Sequence, residues 1–361
     1  MSAALKTVYA LIMLFAVFVV IGGKFPAFGR MFVAPEPVTY ALGDQYRMCE
    51  LDRFREEIQV VESAPNPPLD ETEIITLGDS FFNSALGSEF FANELSKKIG
   101  LKVHNMHTSE FFEPQSYPLS YLEKIGYKEG RKRIVVLESV ERSVLERAGK
   151  YNTLGVSTSN KLDALAFKVL KNSDVEYFFK HNLIVEPLGR RLKNFRFERL
   201  GIVDKSIGAY STDPEMLFYQ RDIQFSRTKK TEAMLDLTAD SIATLSVTLK
   251  KRYDIDLVYM AIPDKYSVYR ALVPKAEEYD RFIPRLCAKL SQRGVKNLDV
   301  YSLYSRYNKP GMPPIYYSSD THYTALGKSI LADATAELIK GLGATAGPTD
   351  RQAASDSGMR R

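Results

Sequence analysis

The chain reads as an α/β protein: a doubly wound, mostly parallel five-stranded sheet with a helical insertion, preceded by one transmembrane helix. Three observations predict this. Short β-branched and apolar runs recur at 73–77, 101–106, 134–137, 256–262 and 297–303. Segments with apolar residues at helical spacing separate them, and that alternation implies parallel strands with helices on both faces. Thr7 to Gly23 is an uncharged, almost wholly apolar run between Lys6 and Lys24, near the lower length limit for crossing a bilayer.

That first run lacks a small-x-small cleavage site before Lys24, so residues 1–30 are expected to act as an uncleaved anchor, with a cleaved signal peptide as the alternative. Lys6 on one side faces Lys24 and Arg30 on the other, so charge bias sets no orientation. Residues 31–72 hold several prolines, ending in Ala64-Pro65-Asn66-Pro67-Pro68, and read as a stalk or wrap before the first core strand.

The domain proper is expected over 73–342. Its first strand, Glu73-Ile74-Ile75-Thr76-Leu77, stops at Gly78-Asp79-Ser80, and a helical pattern (Phe82, Leu86, Phe90, Phe91, Leu95) runs on to Gly100. Ser80 is therefore predicted at a strand-to-helix turn, where the helix N-terminus favours a developing anion. A hydroxyl nucleophile also needs a base, and the base an orienting group. Of the chain's four histidines, His322 lies two residues after Asp320, a spacing that sets carboxylate beside imidazole. His104 and His107 are the rival bases, without a carboxylate at a matching offset. The competing structural readings are a plain Gly-Asp-Ser loop, and an N-cap aspartate beside a surface histidine.

Ile134 to Leu137 runs into Glu138-Ser139-Val140-Glu141-Arg142. Arg142 is a candidate to present guanidinium donors to an acyl oxyanion or a polymer carboxylate, or else to join a structural salt network with Glu141. From about 151 to 229 the strand–helix rhythm is interrupted. There Lys161 to Arg199 carries nine basic and five acidic residues with interleaved apolar ones, among them Phe167, Leu170, Phe178, Leu188, Leu192 and Phe195. This pattern fits a helical subdomain with a solvated charged face, or an amphipathic lid on lipid or acidic polysaccharide. A helix from Thr231 to Tyr253 leads to the strand ending at Ile262. Lys265 follows at the sheet edge, where loops carry function, either to contact substrate or to hold Asp264 or a loop. Further helices are expected at Ala276 to Arg293 and Thr324 to Ile339, and the Ala-, Gly-, Ser- and Arg-rich tail 343–361 is expected to be disordered.

With 361 residues and 45% hydrophobic content the chain can bury a full core. Its 49 basic and 44 acidic residues give a mild +5, with no basic run that would argue for nucleic acid. No Cys/His cluster has metal-ligand spacing, so neither metal nor cofactor is expected. The two cysteines, Cys49 and Cys287, are too few to imply a framework, and sequence does not say whether they pair.

Gly78-Asp79-Ser80 and Asp320-Thr321-His322-Tyr323 together resemble the SGNH (GDSL-type) hydrolase superfamily. The nearer likeness is to its alginate O-acetyltransferase-like and DHHW-type branch, where Asp-Thr-His-Trp precedes a Thr-x-x-Gly helix start. Here Tyr323 stands at the Trp position, followed by Thr324-Ala325-Leu326-Gly327. The segments Ile134–Arg142 and Ile262–Tyr269 also look like that branch. Ser80 precedes the Asp-x-His block, which is the order of ordinary SGNH esterases, whereas in alginate-type members the block can come first. The resemblance implies an SGNH-like fold, a Ser80–His322–Asp320 triad, and an oxyanion donor in the loop at Asn105 to Ser109. It also implies O-acetylation of an exported polysaccharide, with acetyl supplied by a multi-span membrane acyltransferase. The chain would then sit as a single-pass protein in a bacterial inner membrane, with its domain in the periplasm. A carbohydrate O-acetylesterase, and a non-catalytic polysaccharide-binding component of a secretion complex, are the alternatives.

Overall fold

The computed structural model describes residues 2–33, 39–106, 113–127, 133–155 and 173–343. Within them the chain forms two compact units. The larger comprises 39–48, 54–155 and 205–343; the smaller comprises 2–33, 49–53 and 173–204.

The strands of the larger unit are, in chain order, β1 (Tyr40–Leu42), β2 (Glu57–Gln59), β3 (Ile74–Leu77), β4 (Val103–Met106), β5 (Arg133–Val140), β6 (Ile207–Thr212), β7 (Glu215–Tyr219), β8 (Ile255–Ile262) and β9 (Lys296–Leu298). Five of them form one parallel sheet in the order β4-β3-β5-β8-β9. β1 with β2, and β6 with β7, make two antiparallel pairs.

Both sheet faces are covered, which explains why the central strands β3, β5 and β8 carry near-continuous apolar runs rather than alternating ones. Ile74, Ile134, Val136 and Val258 pack on one side with helices Phe91–Ile99 and Ala325–Lys340. Ile75, Leu77, Val135, Leu137 and Leu257 pack on the other with helices Glu232–Tyr253 and Phe282–Gln292. Each such side chain, removed from water, contributes roughly 1.5–3 kcal/mol. From β3 the chain goes to β4 on one side and then returns past it to β5 on the other. The reversal of strand order puts the switch point at the carboxyl ends of β3 and β5, which is where open α/β sheets form their ligand crevice.

Four local expectations are replaced. Residues 80–83 form a turn, and the helix begins only at Phe91, because the intervening segment pairs with residues 59–61: Val61 N–H donates to the Ala85 carbonyl and Gly87 N–H to that of Gln59. The strand at 297–303 is only Lys296–Leu298, since Asp299 caps a helix at Val300–Ser305 by accepting from Ser302 N–H. The helix expected from Ala276 starts at Phe282, after Arg281 with φ of 56°. The region read as a helical insertion also holds the β6–β7 hairpin, tied to the sheet-edge loop by Leu217 N–H donating to the Ser318 carbonyl.

The segment set apart as a stalk is divided: 39–48 and 54–72 pack within the larger unit, while 34–38 lie outside the described residues. The tail at 344–361 lies outside them as well. Cys49 and Cys287 are both buried free thiols.

Candidate functional site

β3 is buried at every residue, and its chain stops at Gly78 because the turn runs against its neighbours. A Cβ on Gly78 would lie 2.5 Å from the Phe82 ring and 2.9 Å from Glu138 Oε2, so only glycine fits. Asp79 N–H donates to Glu138 Oε2 at 2.8 Å, and the Asp79 carboxylate pairs with Arg147 at 2.8 Å while accepting Phe81 N–H at 3.0 Å. Burial, and then the charge of Asp79, push the Glu138 carboxyl well above its ordinary range. Burial works against Asp79 too, but the Arg147 guanidinium holds its carboxyl below the usual value.

Phe81 and Phe82 are driven into the core, Phe82 stacking on Phe91 with centroids 4.2 Å apart. Ser80, flanked by these inward side chains, is left exposed. The turn is closed by Phe82 and Asn83 N–H donating to the Asp79 carbonyl, and Asn83 Oδ1 accepts from Asn105 Nδ2 at 2.8 Å.

The second half of the site is the loop before the last helix. Thr324 caps that helix, its hydroxyl accepting from Gly327 N–H. Tyr323, the residue that departs from the Asp-Thr-His-Trp pattern, is 1% exposed and donates its hydroxyl to the Phe81 carbonyl. The two motifs are thereby joined one residue past Ser80. His322 Nε2 lies 2.8 Å from Ser80 Oγ, and His322 Nδ1 lies 2.6 Å from Asp320 Oδ1, which also accepts His322's own N–H at 2.8 Å. With Nδ1–H donated to the carboxylate, Nε2 is the free base facing the hydroxyl.

Burial alone would lower the imidazole's pKa, but the hydrogen bond and charge of Asp320, reinforced by Asp44 and Asp79, raise it above its ordinary 6.5. Burial opposes ionisation of Asp320 as well, yet the His322 hydrogen bond and charge bring it down to about 2.

Residues outside the two motifs hold the Asp320 loop. Asp44 N–H donates to Asp320 Oδ2 at 2.7 Å, and Asp44 Oδ1 accepts Thr321 N–H at 2.8 Å. Glu56 accepts from the Ser318 hydroxyl at 2.7 Å and from Ser319 N–H and Oγ. Asp44 and Glu56 come from the stretch read as a stalk, and no spacing in the sequence links them to residue 320.

Lys265 is placed beneath the loop rather than in the open crevice. It is 1% exposed and donates to the carbonyls of Asp320 (2.7 Å), Tyr317 (3.1 Å) and Ser318 (3.2 Å) and to Gln45. Burial pulls its ammonium down to about 8. Of its two sequence readings, the loop-holding geometry is the one present, with the partner being the 317–320 loop.

Arg142 lies in a carboxylate cluster, donating to Asp264 Oδ1 at 2.5 Å and Asp222 Oδ1 at 3.2 Å, with its guanidinium over the Tyr219 ring. Its partners are not Glu141, which accepts instead from Asp264 N–H and the Tyr279 hydroxyl. Asn105 is 3% exposed. Its backbone N–H donates to Asn66 Oδ1, its side-chain oxygen accepts from Thr76 Oγ1 and its Nδ2 donates to Asn83 Oδ1, so it braces the Ser80 turn. His104 sits against the Pro67 carbonyl at 2.7 Å. His107 and the remaining loop positions 108 and 109 lie outside the described residues. Among the described residues Ser80 N–H has no hydrogen-bond partner and remains a donor for the crevice.

Asp44, Asp320 and His322 bring three metal-type ligand atoms within 4.8 Å of one another. The Asp320 oxygens already accept His322 and Asp44 donors, and both Asp44 oxygens accept from Thr321. A cation there would have to displace the bonds that orient the imidazole, so the residues do not fit a resident metal.

Residues 213–358 match the family model of the SGNH hydrolase-like domain of acetyltransferase AlgX. The matched region includes β8, the 315–324 loop and the last helix, whereas Ser80 lies outside it. No curated protein matches the chain.

Proposed function

We propose, from the similarity of residues 213–358 to the SGNH hydrolase-like domain of acetyltransferase AlgX, that this chain O-acetylates an exported or cell-envelope polysaccharide through a Ser80-linked acyl intermediate. The supporting observation is the Ser80 Oγ–His322 Nε2–Asp320 Oδ1 relay, at 2.8 and 2.6 Å. His322 Nε2 takes the Ser80 proton as Oγ bonds to the acetyl carbonyl carbon. Asp320 steadies the resulting imidazolium, and Ser80 N–H is one donor to the oxyanion. The carbonyl re-forms as the donor's leaving group departs with the proton from His322. A sugar hydroxyl, deprotonated by the same nitrogen, then attacks the acetyl-serine, and the adduct collapses to acetylated sugar as Ser80 Oγ leaves with the proton from His322.

The apolar helix Ala3–Lys24 is long enough to cross a membrane, and we read it as the anchor of a single-pass inner-membrane protein with its domain in the periplasm. Acetyl then comes from a multi-span acyltransferase in the same membrane. The nucleophile-first order of Ser80 and Asp320-x-His322 favours a second reading, a carbohydrate O-acetylesterase, in which water replaces the sugar.

The full chain in detergent, given p-nitrophenyl acetate, is expected to show one acetyl adduct by intact mass, absent in Ser80→Ala and His322→Ala. Wild type with neither adduct nor turnover would exclude the enzyme and leave a polysaccharide-binding protein. With oligosaccharide acceptors, acetylated sugar marks the transferase; free acetate with unmodified sugar marks the esterase.

A further inference from the structure

The smaller unit contains a surface that acyl transfer does not use. Its helix Ser173–His181 packs along the last turns of the apolar helix Ala3–Lys24: Phe178 meets Phe18 with centroids 5.1 Å apart, and Phe179 meets Phe15 at 6.2 Å. Gly22 makes this possible, since a Cβ there would lie 2.1 Å from the Phe178 ring. Asn182 then links this helix to the next, Val185–Leu200. Its Nδ2 donates to the Phe178 and Phe179 carbonyls, and its Oδ1 accepts from Ile184 and Val185 N–H.

The helix Val185–Leu200 has an inward face made by Lys193, Asn194 and Phe197: Lys193 pairs with Glu50 at 2.9 Å, Asn194 accepts Asp52 N–H at 2.8 Å, and Phe197 is buried. The opposite face is apolar and turned outward. Ile184, Leu188, Leu192 and Phe195 follow one another at helical spacing and are 53%, 62%, 58% and 57% exposed. The helix also carries five basic residues against two acidic ones, Glu186 and Glu198, with Arg191, Arg196 and Arg199 exposed beside the stripe.

We propose that this outward stripe lies in the interfacial layer of the bilayer that the Ala3–Lys24 helix spans, with its apolar side chains among acyl-chain ends and its arginines on anionic phospholipid headgroups. The inference rests on the anchor reading. Two observations select lipid as the occupant. The preceding helix is packed on anchor residues Phe15 to Gly23, which would themselves be in or near lipid, so the connected stripe is delivered to the same layer. The cationic rim is complementary to anionic headgroups, as an interfacial helix requires. The physical consequence is a platform that fixes the anchor's end against the membrane surface instead of leaving it a free tether.

The chain has no tryptophan, so a single one reports its own surroundings. Leu188→Trp, Leu192→Trp, Phe195→Trp and, in the anchor, Leu14→Trp are made separately in the full chain. Each is reconstituted in phosphatidylethanolamine–phosphatidylglycerol vesicles with plain or brominated acyl chains. Brominated lipid is expected to cut emission at all four positions by about half or more, the stripe lying about 5–10 Å into the headgroup–acyl boundary. Replacing phosphatidylglycerol by phosphatidylcholine, or adding Arg191→Glu with Arg196→Glu, is expected to weaken quenching at the stripe but not at Leu14→Trp. Quenching at Leu14→Trp alone overturns this inference and leaves the anchor intact; no quenching at any position overturns both. A stripe tryptophan shielded from aqueous iodide yet untouched by bromolipid reveals a protein occupant, and likewise overturns the lipid assignment. Stripe quenching that ignores both lipid charge and the arginine changes overturns the headgroup contact.

Discussion

Asp44 and Asp320, 276 residues apart, are joined by a 2.7 Å hydrogen bond from the Asp44 backbone N–H to Asp320 Oδ2, while the Asp44 carboxylate grips the next residue, Thr321, through its N–H. Asp320's other oxygen is thereby left to His322. An orienting carboxylate needs such bracing, because a free carboxylate can rotate away from the imidazole it serves. Burial and the neighbouring charge of Asp320 raise the Asp44 carboxyl above its ordinary 3.8, and the bonds from Thr321 work against that rise. If Asp320 orients His322 as proposed, Asp44 is a positioning residue.

Asp44→Ala should lower kcat for Ser80 acetylation by about 10²-fold, the scale of a misplaced reacting group, with KM nearly unchanged. Asp44→Asn retains an acceptor for Thr321 N–H and should recover much of the loss. A raised KM with an unaltered kcat would instead put Asp44 in contact with the acyl donor or sugar.

The pH dependence follows from His322. It acts as a base only when neutral, and its pKa is raised above 6.5, so single-turnover acetylation should rise with pH along a limb centred above that value. Asp320→Asn removes the charge that favours the imidazolium, so the limb should move to lower pH, with a rate loss on the order of 10⁴-fold, as in serine triads generally. An unmoved limb in that variant would mean that another group titrates.

Lys265 braces the same loop from below. Lys265→Met leaves the carbonyls of Asp320, Tyr317 and Ser318 and the Gln45 amide oxygen without their shared donor. Unfolding in urea should show a loss of roughly 3 kcal/mol or more, since several buried acceptors lose a partner together. Full stability with weaker sugar binding would assign Lys265 to the substrate.

Gly78→Ala forces a methyl against the Phe82 ring and Glu138, 2.5 and 2.9 Å away. Overpacking of this kind costs about 1–3 kcal/mol. Because the same turn carries Ser80, acetylation should fall further than stability does, by comparison of thermal midpoints with single-turnover rates.

Much of the fold was legible because it rests on local chemistry. Runs such as Ile74-Ile75-Thr76-Leu77 and Ile134-Val135-Val136-Leu137 can only be buried on both sides, and the helices expected from Thr231 and Thr324 begin there, each threonine hydroxyl capping its helix. The helix after Ser80 was misjudged because apolar spacing alone cannot see that residues 85–87 pair with 59–61. Asn105, Arg142 and Lys265 each sit at a sheet edge that sequence marks as functional ground, but their hydrogen bonds are directed at protein groups, and only packing reveals that.

The sequence by itself determined the central strands β3, β5 and β8 and the chemical identities of Ser80, Asp320 and His322, since each depends on neighbours within a few residues. Tertiary structure decided the 2.8 Å approach of Ser80 to His322 and the bracing of Asp320 by Asp44 and Lys265. Those contacts span from 55 to 276 positions along the chain. They exist only once the parallel sheet brings its strand ends to one edge, where hydrogen-bond geometry rather than local preference selects the partners.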